Sequence, residues 1–224
     1  MFRRPLSPLV VALGCVPLLA LVWLLAFRTD AGARLDIWVL SGLMGLQGSS
    51  AEPLARLGAH LAEPIPFALL AVALAAIALA RRRPRHALVV VAVLAGATVT
   101  TQLLKPFTGV ARAAEAPAIA PVGDAWPSGH TTAAVALALC FALVVPAHRR
   151  PWAAAAGVVF VLAEGFGLIV MGWHYPSDVA GGIVVAALWA ALGFAALRAM
   201  SARRGAREED PRRPGAARPA AARI

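Results

Sequence analysis

Residues 126–150 read WPSGHTTAAVALALCFALVVPAHRR. From Thr131 to Ala147 the stretch carries no charged residue, and a run of that length is at the short end of what a membrane-crossing helix needs. In front of it stand Pro127, Ser128, Gly129 and His130, and behind it His148, Arg149 and Arg150. An apolar run with a polar cluster at one end and a basic cluster at the other predicts a helix across a bilayer, its ends in different aqueous compartments.

The pattern recurs along the chain. Of its 224 residues 60% are hydrophobic and only 14% charged, against about 25% charged for a soluble domain. Apolar runs predict six spans, at about 6–27, 65–80, 87–104, 131–147, 152–171 and 179–199. The first run follows Arg3 and Arg4, and Ala31-Gly32-Ala33 after it resembles a cleavage site, but its length suits a span better than a signal peptide. Between spans one and two, residues 28–63 form a mixed loop with two short helices. One, at 35–46, lies at the interface or re-enters the membrane; the other, at 52–62, has Leu54, Leu57 and Leu61 on one face. The expected fold class is all-α: a polytopic membrane domain over 1–199, followed by a basic, disordered cytoplasmic tail over 200–224.

The net charge is +10, yet a nucleic-acid-binding role is excluded by where the charge sits. Sixteen of the 21 Lys and Arg residues lie before the first run, at 81–85, at 149–150 or from Arg198 onward. The positive-inside rule then puts both termini in the cytoplasm of a plasma (inner) membrane, with the loops at 28–63, 105–130 and 172–178 facing the periplasm or exterior. The tail has no aromatic residue on which a base could stack. Cys15 and Cys140 each stand alone in an apolar run, so neither a disulfide framework nor a metal site is indicated. Abundant Ala, Arg, Gly and Pro fit a high-GC bacterial genome.

Only Arg28, Arg34, Arg56, Lys105 and Arg112 break the charge rule, and two of them share the loop that ends in Pro127-Ser128-Gly129-His130. The next outward loop brings His174-Tyr175-Pro176-Ser177-Asp178. Cations and backbone N–H groups can neutralise a tetrahedral anion, one histidine can attack phosphorus, a second can protonate the leaving oxygen, and an aspartate can orient the attacking ring. On one membrane face this is a set for phosphoryl transfer.

Lys105 with Arg112 seven residues on, then Pro127-Ser128-Gly129-His130, then His174 with Asp178 four residues on, resembles the type 2 phosphatidic acid phosphatase superfamily in order, spacing and placement beside spans four and six. The resemblance implies a lipid phosphate phosphatase with its site at the non-cytoplasmic end of six spans. It implies His174 as nucleophile forming a phosphohistidine, Asp178 as its orienting acid, and His130 as general acid. Lys105, Arg112, Ser128 and the Gly129 N–H would bind phosphate oxygens, with no metal and no cofactor. The implied substrates are polyprenyl pyrophosphate, phosphatidic acid, phosphatidylglycerol phosphate or a polyprenyl-linked sugar phosphate.

The chain departs from the family pattern at two places. Arg112 is followed by Ala113 where the family has proline, and Gly167-Leu168 stands where it has Ser-Arg. One phosphate ligand is thereby missing, which leaves a second reading: a weak or silent lipid-phosphate binder or transporter. Glu164, inside span five, reads as a protonated acid or one bonded to span three at Thr98, Thr100, Thr101 or Gln102. Trp126, Trp173 and Tyr175 read as interfacial belt aromatics that also suit a lipid entry.

Overall fold

The computed structural model describes residues 7–60, 62–108 and 125–208. Among these, eight α-helices follow one another: α1 Pro8–Arg28, α2 Asp30–Met44, α3 Glu52–His60, α4 Pro64–Ala80, α5 Pro84–Thr108, α6 Gly129–Val144, α7 Arg150–Val170 and α8 Pro176–Glu208. No strand occurs among the described residues. Prolines at or next to the first helical position open α1, α4, α7 and α8, where a missing N–H leaves no bond unmade. Both short helices expected between the first two spans form, as α2 and α3. Thr29 separates α1 from α2, its hydroxyl donating to the Leu25 carbonyl at 2.7 Å and accepting from the Gly32 N–H at 3.1 Å.

Among the described residues, four helical stretches are long and apolar enough to cross a membrane: Pro8–Arg28, Pro84–Thr108, Ala147–Val170 and Pro176–Arg204. α3 and α4, bent by 56° at their junction, make a fifth if they count as one broken span. α6 is apolar but has 16 residues, hence about 24 Å of helix against a hydrocarbon core of about 30 Å. It stops at Val144 rather than at 147 because Pro146 drives Val145 into an extended conformation (φ −68°, ψ 157°). α8, in contrast, runs on into the basic tail.

α5, α6 and α8 share the main apolar core, built from Val90, Val93, Val135, Leu137, Cys140, Val185 and Ala186. Small residues bring these helices together, as is usual where lipid supplies no hydrophobic drive. A side-chain carbon added at Gly96 would lie 2.4 Å from the Trp189 ring, and one at Gly193 would lie 2.7 Å from Val93. The outward faces carry Leu13, Ile65, Val72, Val159 and Leu162, all exposed. So continuous an apolar exterior fits a bilayer and not water.

Candidate active site

Two helix starts and two helix ends build the site. Ser128 (φ −63°, ψ 119°) caps α6, its Oγ accepting from the Thr131 N–H at 3.2 Å and bonding the Thr131 hydroxyl at 3.1 Å. The Gly129 N–H and the His130 ring therefore sit at the positive end of a helix, where anions are favoured. α7 closes with the Gly172 N–H on the Ile169 carbonyl at 3.0 Å and the Trp173 N–H on the Leu168 carbonyl at 2.9 Å. This pairing needs a left-handed residue, and Gly172 supplies it at φ 73°. Gly172→Val is expected to cost about 1–2 kcal/mol of stability and to misplace the next two side chains. A lower melting temperature together with lost phosphate release would check this.

Past that turn, His174 and Asp178 stand at the start of α8. Asp178 is fully buried; its carboxylate accepts the Tyr175 N–H at 2.9 Å and lies 3.4 Å from His174 Nδ1. With Nδ1 facing the acid, Nε2 is the nitrogen turned away from it. The His130 and His174 rings meet edge to face, 5.9 Å apart between centroids at 66°. Both line a cavity of about 240 Å³ with Lys105, Gly129, Gln102 and Thr98. That is smaller than the roughly 300–1,000 Å³ of pockets enclosing whole drug-sized ligands. Two imidazoles, a lysine and a helix N-terminus around a space of this size can hold a tetrahedral anion, attack it and protonate what leaves. No group of three His, Cys, Asp or Glu side chains among the described residues is arranged to hold a metal ion.

Lys105, Gly129, His130 and His174 thus meet at one cavity. Ser128 and Asp178 stand behind it, fully buried, and fix the groups in front. Arg112 lies outside the described residues. Leu168, where the family pattern has arginine, is fully buried and does not line the cavity.

Contacts that sequence reading did not anticipate hold the two motifs together. The Ser128 N–H donates to the Asp178 carbonyl at 2.9 Å, and Trp126 Nε1 donates to the Ser177 carbonyl at 3.1 Å. Thr108 of α5 donates to the Trp126 carbonyl at 3.0 Å. α8 can lie this close because of two adjacent glycines. A side-chain carbon at Gly182 would stand 2.7 Å from the Ser128 carbonyl oxygen, and one at Gly181 would stand 2.8 Å from Trp126 Nε1. From α2, Asp36 accepts the Ser177 N–H at 2.9 Å and the Ser177 hydroxyl at 2.6 Å, buried at 4% exposure. The sequence signals were faint: a glycine pair inside a span, and one acid near the start of a short apolar helix.

Three expectations are corrected. Trp126 and Tyr175 are not belt aromatics, being 2% and 1% exposed; Trp126 bridges the motifs, and Tyr175 packs with Leu40 and Ile169. Glu164 does not bond span three. α7 packs on α6 and α3, so Glu164 meets the Thr131 hydroxyl at 3.4 Å, while Thr101 pairs with Thr132 at 3.2 Å and Thr100 accepts from Trp189 at 2.9 Å.

Known proteins bear on this geometry in two ways. Searching curated sequences gives no match. The fold is similar to that of a transmembrane PAP2-type phosphatidylglycerolphosphate phosphatase from Bacillus subtilis, at a TM-score of 0.68 and 19% identity over 88% of this chain and 96% of that one. The model of the PAP2 superfamily matches residues 69–201, a stretch that runs from within α4 to within α8 and contains all three motifs. With more than half of its length matched, and matched across the helices that build the cavity, this helical membrane protein belongs to the PAP2 superfamily.

Proposed function

We propose that the protein is a six-span membrane phosphatase that removes phosphate from a lipid phosphate or pyrophosphate through a phosphohistidine on His174. The observation that carries the reading is an alignment of two spaces. α4 and α6 line the head cavity with Phe67, His130 and Ala133, and one turn farther on they line an apolar groove of about 220 Å³ with Leu70, Leu74, Leu137 and Phe141. A cavity holding two imidazoles and a lysine, with a greasy groove one turn away along the same two helices, suits a molecule with a phosphate head and a hydrocarbon tail.

In the first step His174 Nε2 attacks phosphorus while the bond from phosphorus to the leaving oxygen breaks, and His130 gives that oxygen a proton. In the second, water attacks the phosphohistidine, His130 takes the water's proton, and phosphate leaves His174 free. Asp178 keeps the attacking ring in the right tautomer. Lys105, Arg112 and the Gly129 N–H offset charge on the phosphate oxygens. Ser128 acts from behind, by capping the turn that presents Gly129 and His130. The distribution of basic residues supports cytoplasmic termini and an outward-facing site. Polyprenyl pyrophosphate, phosphatidic acid and phosphatidylglycerol phosphate are the substrates to compare, the last being the one named for the structurally similar protein.

The test is phosphate release by the full chain in detergent, without added divalent metal, against those three lipids. Release from at least one supports the reading. None from any, by a folded protein, favours the silent-binder reading that the buried Leu168 raises. In the groove, Leu70 is 46% exposed, so tryptophan there narrows the tail path without entering the core. Leu70→Trp is expected to raise KM for a long-chain substrate about tenfold, on the order of 1.4 kcal/mol, and to leave hydrolysis of a short soluble phosphate monoester unchanged.

A further inference from the structure

The family pattern asks for an arginine at position 168, and the leucine there is buried away from the cavity. A different basic group stands one aromatic ring away from His130. α3 lies backbone against backbone on α7. A side-chain carbon at Gly58 would fall 2.2 Å from the Ala163 carbonyl oxygen, and one at Gly167 would fall 2.2 Å from the Ala55 carbonyl oxygen. Two residues after Gly58, α3 ends at His60, whose ring meets Trp173 edge to face at 5.4 Å. Trp173 in turn tilts against His130 at 6.0 Å. His60 Nδ1 is 2.6 Å from Glu63 Oε1, at the residue that caps α4. The ring is therefore held at one nitrogen, and its side chain remains 44% exposed. Ala62 and Pro64, on either side of Glu63, line the cavity itself.

We propose that His60 supplies the contact that position 168 lacks: as imidazolium, held through Nδ1 by Glu63, it donates from Nε2 to a phosphate oxygen of the substrate at the cavity mouth. The inference rests on the phosphatase reading above. The glycine at 167 and the leucine at 168 then belong together: the first lets α3 dock close to the site, and the docked helix brings the replacement. A guanidinium has five donors and an imidazolium only two, so His60 replaces the charge and one hydrogen bond, not the bidentate fork.

The experiment compares orthovanadate, a phosphate mimic, as an inhibitor of the full-length wild type, His60→Ala, His60→Arg and Glu63→Gln in one detergent, with melting temperatures recorded alongside. Expected are a ten- to hundredfold weaker inhibition of His60→Ala, a smaller weakening of Glu63→Gln, and inhibition of His60→Arg near that of the wild type. Equal inhibition of wild type and His60→Ala overturns the proposal. So does equal weakening of His60→Ala and His60→Arg, which is the mark of packing and not of charge. If His60→Ala does not fold, Glu63→Gln decides, and unchanged inhibition there overturns the proposal. If the wild type releases no phosphate, it is the phosphatase reading that fails. The anion contact is then read from the shift in melting temperature caused by tungstate: a shift lost in His60→Ala supports the proposal, and a shift equal in both, or absent from both, overturns it.

Discussion

Phosphate release by His174→Ala is expected to fall by at least about 10³-fold, to the level of a protein-free blank. Among the cavity groups, His174 is the one with a ring nitrogen facing a buried carboxylate and its other nitrogen turned away from it. Alanine removes the atom that would form the new bond to phosphorus, and the nearest imidazole, His130, has its ring centroid 5.9 Å away. The comparison with His130→Ala separates the two roles. A general acid matters in proportion to how badly the leaving oxygen needs a proton. His130→Ala should therefore lose most of its rate on a lipid alkyl phosphate and much less on p-nitrophenyl phosphate, whose leaving group departs as an anion. His174→Ala should fail on both. The paired measurement is first-turnover release of the leaving group from both substrates by both variants, which reads the protonation step apart from the later hydrolysis that uses His130 with either substrate, with melting temperatures to show that each is folded. Activity of His174→Ala on p-nitrophenyl phosphate would assign the attack to another group.

The sequence made the helices legible because each apolar run is closed by a physical stop: Arg81 to Arg83 after α4, Pro146 after α6, Gly172 after α7. The motif residues were legible because two histidines, a lysine and an aspartate fell together on the predicted face that is otherwise poor in basic residues. What the sequence did not disclose is how the motifs are pressed together. Asp36 lies 141 residues from Ser177, and nothing local announces that pair. Gly181 and Gly182 look like any small residues in a span until Ser128 and Trp126 are seen against them. Periodicity says that a face is buried; it does not say against what. The same gap explains Glu164, for which span three was offered as one partner on the strength of its threonines, when the hydroxyl it meets is that of Thr131 on α6.

Gly167→Ser, which restores the family residue, is expected to damage this protein. The added carbon would lie 2.2 Å from the Ala55 carbonyl oxygen and 2.5 Å from the Ala59 nitrogen. Both are backbone atoms, so no side chain can rotate out of the way. Ordinary contact requires about 3.5 Å, and α3 has to retreat by roughly 1 Å to restore it. Overpacking of this kind costs about 1–3 kcal/mol. The same retreat carries His60 away from Trp173, and a misplacement of about 1 Å near a reacting centre can cost about 10²-fold in rate. Melting temperature and phosphate release should therefore fall together. The pair Gly167→Ser with Leu168→Arg should not repair the loss, because the guanidinium would begin from a fully buried position while α3 is being pushed off its seat. A wild-type melting temperature for Gly167→Ser would mean that α3 is not seated on α7 at Gly167, and would remove the structural reason for reading His60 as the substitute. A loss of stability with full activity would keep α3 on α7 but free the chemistry of it. Only a joint loss fits a chain in which glycine stands where the family pattern has serine and a different helix brings its own basic group to the phosphate.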